Sequence, residues 1–200
     1  MTLAFLLLLF ADAQFWETKP VAEWTDPELS QMFAYSPWGV MAAGPGRGAA
    51  AAPPVQVYLA TAGPIVQAEQ ERERRAALKG GRKAKDDPLA EEYRLWLEDN
   101  RMSQIVIAAR VLNNAAFYDQ QEVRRMEDQS VLRVGRRKLK LTGHFPPSAG
   151  DPFLRLAFPR EVELSDKTIV FELYLPGVPA PFRQVQFNLK DLVLKGKLEL

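Results

Sequence analysis

Val131-Leu132-Arg133-Val134-Gly135-Arg136-Arg137-Lys138-Leu139-Lys140-Leu141-Thr142 decides the fold class. Apolar and polar residues alternate on both sides of Gly135, which reads as two short strands, Val131 to Val134 and Lys138 to Thr142, with a basic hairpin tip between them. The same rhythm continues to the end of the sequence. Phe153 to Phe158, Thr168 to Leu175, Phe182 to Leu189 and Leu192 to Leu200 are short, rich in alternating apolar residues, and separated by Pro146-Pro147, Gly150, Pro159, Pro176-Gly177 and Pro179 to Pro181. Strands of this length and punctuation predict an antiparallel sheet or sandwich. No period of about 20 to 50 residues recurs, so a solenoid or propeller is not expected.

Upstream of Ser130 the pattern becomes mixed. Val55 to Ala60 and Ile105 to Leu112 read as strands, the second as a buried one rich in Ile, Val and Ala. Helices are expected from Ile65 to Leu78, stopped by Gly80-Gly81, and from Asp87-Pro88 to Asn100, with a third over Phe117 to Gln129. Glu69, Glu71 and Glu73 alternate with Arg72, Arg74 and Arg75, a pattern read as a solvated, salt-bridged helix face. Thr25-Asp26-Pro27-Glu28 carries a capping box: the Thr25 hydroxyl can accept from the Glu28 N–H while Glu28 reaches back to the Thr25 N–H. The short helix it opens has Leu29, Met32 and Phe33 on one face and stops at Ser36-Pro37. The fold class is therefore α+β, mostly antiparallel sheet or sandwich, with two or three helices and a short N-terminal helix.

Composition closes many routes to function. The 200 residues are 47% hydrophobic and 26% charged, which fits a folded domain. With no Cys and one His, thiolate or multi-histidine metal sites and a Cys nucleophile are excluded. No catalytic residue, metal or cofactor is expected. With 26 Lys+Arg against 25 Asp+Glu there is no overall field for nucleic acid. Locally, residues 102–150 hold 8 basic and 4 acidic side chains, whereas 151–200 hold 7 of each.

The apolar run Leu3 to Phe10 followed by Ala11-Asp12-Ala13 fits a signal peptide cleaved before Gln14. Export, periplasmic or extracellular, is the expected localisation. The run is far too short for the roughly 20 residues of a membrane span, and no transmembrane anchor is expected. The domain reading is a signal peptide at 1–13, a Trp-rich segment at 14–41, an Ala/Gly/Pro-rich linker at 42–54, and one α+β domain at 55–200.

Two groups of residues are candidates for binding. Trp16, Trp24 and Trp38 crowd around the capped helix; exposed, Trp24 and Trp38 would anchor a sugar or protein partner, and buried, they would staple the N-terminal segment to the body. Arg136 and Arg137, with Lys138 and Lys140, form the sharpest basic cluster and suit an anion such as a phosphate or lipid head group. His144 lies in Thr142-Gly143-His144-Phe145-Pro146, with neither a nucleophile nor an orienting carboxylate nearby in sequence. Carboxylates are plentiful enough for two to face each other across a cleft as glycosidase pairs do.

Phe15-Trp16-Glu17-x-Lys19-Pro20, Glu23-Trp24-Thr25, Ser36-Pro37-Trp38 and the closing stretch Phe187 to Leu200 resemble a family of exported bacterial proteins whose function is not established. The resemblance implies export and a β-rich C-terminal body and brings no catalytic residues. The functional expectation is an exported, non-catalytic binding or scaffolding protein of the cell envelope, with an envelope protein or polymer as partner. The alternative is a hydrolase using paired carboxylates on an envelope polymer.

Overall fold

A computed structural model describes residues 14–46, 51–80, 87–148 and 150–200. The expected signal peptide lies outside the described residues. The N-terminal segment opens with one helical turn, α1 (Phe15–Thr18), and then the capped helix α2 (Asp26–Ala34). Both halves of the capping box form: Glu28 N donates to Thr25 Oγ1 (3.3 Å) and Thr25 N donates to Glu28 Oε2 (2.7 Å). After α2 the chain enters two short strands, β1 (Tyr35–Ser36) and β2 (Gly39–Ala42), which pair as a hairpin. Strand β3 (Val55–Leu59) then pairs antiparallel with β2. The segment 14–41, set apart from 55–200 in the sequence reading, is thus part of the same sheet. The Ala/Gly/Pro stretch connects two neighbouring strands, and its first residue, Ala42, ends β2.

Two longer helices follow, α3 (Gly63–Leu78) and α4 (Pro88–Asn100), the second capped by Asp87 accepting from Leu89 N. Strand β4 (Gln104–Arg110), a 3₁₀ turn and α5 (Gln120–Gln129) lead into the β-rich half. There β5 (Val131–Val134), β6 (Arg137–Lys140), β7 (Gly143–Phe145), β8 (Phe153–Pro159), β9 (Thr168–Tyr174) and β10 (Phe182–Asn188) form. The expected final strand is instead a 3₁₀ turn followed by a small hairpin, β11 (Val193–Leu194) and β12 (Lys197–Leu198). Lys195 and Gly196, both at positive φ, reverse the chain there.

The fold is α+β and its sheets are antiparallel. One sheet has the order β1-β2-β3-β4-β8-β7 and a second the order β10-β9-β5-β6. They face one another across a shared apolar core, where Phe158 of β8 meets Phe171 of β9 edge-on (5.5 Å) and Phe171 meets Phe187 of β10 (6.0 Å). Helices α2, α3 and α4 cover the other side of the six-stranded sheet: Phe33 packs on Tyr58 (5.1 Å), and Tyr93 and Trp96 pack on Phe145. The approach of α2 is close. A Cβ on Gly39 would lie 2.5 Å from Met32 O, so only glycine lets β2 run beneath that helix.

Candidate functional site

Period-two alternation fixes what lies under the helices. Gly39, Tyr58, Ala108, Arg155 and Phe145 are register partners across β2, β3, β4, β8 and β7, and form one row on the helix-facing side. Tyr58 and Arg155 put polar groups into this buried layer, and α3 answers them. Tyr58 Oη donates to Glu69 Oε1 (2.8 Å), Arg155 Nη2 donates to the same oxygen (3.4 Å), and Arg155 Nη1 donates to Asp151 Oδ2 (2.6 Å). The Arg155 guanidinium also lies 4.3 Å from the centre of the Tyr93 ring. Arg72 completes the group, 3.9 Å from Glu69 and stacked over Phe33 at 4.6 Å. Arg155 and Glu69 are thus paired in a buried layer, with Asp151 and the more exposed Arg72 meeting them from its rim. Burial, followed by the Glu69 charge, pushes the Tyr58 hydroxyl well above the ordinary tyrosine range.

The expected solvated face of α3 is corrected here. Glu69 and Glu71 are 9% and 5% exposed, because α3 turns these carboxylates toward α2 and the sheet. Glu71 accepts from Arg74 Nε (2.7 Å) and Arg75 Nε (2.7 Å), and these guanidinium groups hold its carboxyl down at about 2. Arg75 extends the network to Asp26 of α2 (2.7 Å) and to the Trp24 carbonyl.

Two residues further along the same strands, Met41 and Arg110 are exposed among the described residues while Phe153 stays buried, with Arg72 over its ring at 5.6 Å. Met41 pairs with Gln56, and Arg110 pairs with Phe153. These four line a groove of about 1780 Å³. Its walls include Leu29 and Phe33 of α2, Arg72 and Glu73 of α3, and the 150–153 and 177–179 loops. Apolar and proline residues share the lining with charged ones, among them Arg72, Arg75 and Arg94 in the walls, and Arg110, exposed at the end of β4, is a cation in the floor. Glu73 at the wall is pushed above the usual carboxylate range by burial and by the neighbouring Glu69.

The residues singled out from the sequence lie elsewhere. Trp24 and Trp38 are 3% and 1% exposed and offer no face to a partner, so their role as binding residues gives way to the stapling one. Trp24 Nε1 donates to Lys19 O (3.1 Å), Trp38 Nε1 donates to Glu199 O (3.1 Å), and Trp16 packs edge-on against Trp38. Arg136 and Arg137 are exposed at the β5–β6 turn, far in sequence from every groove residue; Arg137 pairs with Asp166 (3.0 Å) and Glu161 (3.9 Å). His144 gains the carboxylate that its sequence neighbours lack, with Glu127 of α5 3.5 Å from Nδ1, in a smaller pocket of about 360 Å³. That pocket is lined by Phe117, Gln120, Val123, Arg124 and Pro146 besides the pair, so no hydroxyl or thiol stands ready as a nucleophile among the described residues.

Sequence reasoning missed Tyr58, Arg110, Asp151 and Arg155. A signal for Arg155 was present, since it interrupts the apolar run Phe153-Leu154-Arg155-Leu156-Ala157 at an inward position. Among the described residues no group of three His, Asp or Glu side chains could hold a metal ion, and no helix is long and apolar enough to cross a membrane. Compared with protein-family models, with curated proteins and with solved structures, the chain matches none.

Proposed function

We propose that the protein is an exported, non-catalytic binding or scaffolding protein of the cell envelope, and that it binds through the groove rather than through its tryptophans. The observation that carries this reading is the groove at the end of the six-stranded sheet, where Arg110 of β4 stands beside Phe153 of β8, with Gln56 and Met41 on the strands to its other side. At about 1780 Å³ the groove exceeds the 300–1,000 Å³ of an ordinary small-molecule pocket, which favours an elongated occupant. A lining that mixes apolar side chains and prolines with charged ones, and has a cation in the floor, suits an amphipathic anion: an extended apolar body with an acidic group at Arg110.

Calorimetric titration with dodecanoate and with dodecyltrimethylammonium tests this. Dodecanoate binds saturably at one site, the cationic surfactant does not, and Arg110→Ala weakens dodecanoate binding by about tenfold or more. Absence of saturable binding, or an unchanged affinity in Arg110→Ala, rejects the reading.

One observation favours the hydrolase alternative. Glu73 and Asp151 both line the groove, where desolvation and the neighbouring Glu69 push the Glu73 carboxyl above the usual carboxylate range and Asp151 accepts from Arg155. This reading requires release of reducing ends from an envelope polysaccharide and complete loss of that release in Glu73→Gln. Turnover that persists in Glu73→Gln eliminates it.

A further inference from the structure

The four-stranded sheet presents a second surface, independent of the groove. Its inward side chains, Leu132, Phe171, Val185 and Phe187, fill the sandwich, so the intervening residues face outward. Register places Lys140, Val131, Glu172 and Gln184 in one outward row and Lys138, Arg133, Val170 and Gln186 in the next. Apart from buried Val131, these side chains are exposed or half-exposed. Arg136 stands at the turn just beyond, where Gly135 at positive φ closes the hairpin.

Cations gather on this face along β6 and its turn, where Arg136, Lys138 and Lys140 stand, with Arg133 beside them on β5 and Glu172 on β9 as the one carboxylate of the two rows. Arg137, the register partner of buried Val134, lies on the other side of β6. Arg133 is paired with Glu172 (2.6 Å) and Arg137 with Asp166, whereas Arg136, Lys138 and Lys140 form no ion pair among the described residues. At the opposite end of the face Phe182 is 55% exposed and packs edge-on against Tyr174 (5.2 Å). Four strands span roughly 15 Å, a broad and shallow surface rather than a cleft. Unpaired cations lined along the edge strand β6 and its turn, with an aromatic ring at the opposite border of a shallow surface, complement an array of phosphates.

We infer that this outer face, through Lys138, Lys140 and Arg136, docks the protein on an anionic bilayer surface. The binding is peripheral and electrostatic: the sheet stays folded, and no segment of it inserts across the bilayer.

Co-sedimentation of the purified chain with two vesicle types tests the inference, one of phosphatidylcholine alone and one containing phosphatidylglycerol. At about 0.01 M salt the protein partitions onto the acidic vesicles and not the neutral ones, and about 1 M salt releases it. Lys138→Ala with Lys140→Ala lowers partitioning by about fivefold per cation, roughly 25-fold for the pair. The charge-matched pair Arg101→Ala with Arg124→Ala leaves partitioning within about twofold, on the same reasoning that only charge near the surface counts. Thermal unfolding by circular dichroism confirms that both variants are folded. Equal binding to neutral vesicles overturns the inference, because the apolar run Leu3 to Phe10, where retained, would partition without regard to head-group charge. Salt-insensitive association, full binding by the Lys138/Lys140 variant, or binding to soluble polyphosphate without binding to acidic vesicles overturns it too. Failure of the dodecanoate titration leaves it intact, since Arg110 lies on the other sheet.

Discussion

The two sheets share one core but treat the charges on their outer sides in opposite ways. The six-stranded sheet is covered by α2, α3 and α4, and its outward row carries Tyr58 and Arg155 into a buried network with Glu69, Asp151 and Arg72. The outer side of the four-stranded sheet is covered only in part, by α5 at the Tyr174 end where Tyr174 Oη donates to Glu122, and its outward rows carry Lys138 and Lys140 without ion-pair partners among the described residues. Both strands bearing these residues alternate, yet the energetic meaning of a cation differs completely. Beneath helices every charge must be matched, because a buried unpaired ion costs several kcal/mol. In water the same ion costs almost nothing and is free to meet an outside partner.

The strongest way to break this contrast is to remove the central cation of the covered side. Arg155→Ala strands Glu69 and Asp151 in the helix–sheet layer, and urea unfolding is expected to show a loss of about 3–5 kcal/mol. A loss below about 1 kcal/mol would mean that water reaches the network and that the two sides are alike.

Acid sharpens the contrast by a smaller effect. The Glu71 carboxyl sits at about 2 when folded against an ordinary 4.5, held down first by Arg74 and then by Arg75. A depressed carboxylate stabilises fully above its unfolded value and loses that contribution as pH falls through its folded value. The thermal midpoint is therefore expected to fall between about pH 4.5 and pH 2, and to fall less steeply in Glu71→Gln. Parallel curves for the two proteins would remove Glu71 from the account.

The smallest effect belongs to the four-stranded sheet. Lys138→Ala is expected to change stability by no more than about 0.5 kcal/mol in the same urea experiment, as exposed substitutions away from packing features usually do. A larger loss would place Lys138 in a structural contact instead of on an open face.

Local signals were legible in the sequence, and those that depend on layering were not. The Thr25/Glu28 capping box needs only three residues of spacing, and it forms as read. β5, β6, β8, β9 and β10 were readable because each carries its own alternation and its own turn residues, whereas the three-residue β7 (Gly143–Phe145) is too short to show a period. By contrast, Glu69 and Glu71 look identical to solvated carboxylates until a sheet lies beneath them. Alternation also cannot say which face of Val131–Val134 stays wet and which face of Phe153–Pro159 receives a helix. The last residues misled for a similar reason: Leu192 to Leu200 is rich in strand formers, yet Lys195-Gly196 takes the positive φ angles that fold it into a hairpin. Arg110 was passed over because nothing local distinguishes a cation at a strand end from one in the floor of a groove.

The bond from Trp38 to the Glu199 carbonyl has a consequence in time. It joins residues 161 positions apart, and Gly63 N donates to the Glu199 side chain as well (3.0 Å). Together with the pairing of β4 and β8, it gives the chain many contacts between distant parts of the sequence, the topology of slow folders. During synthesis Trp24 finds its partners early, at Lys19 and Arg75, but Trp38 cannot complete its bond until residue 199 has been made. Until then a ribosome-bound chain carries an unsealed aromatic surface, so folding yield is expected to depend more on chaperone supply than on intrinsic helix or strand preference.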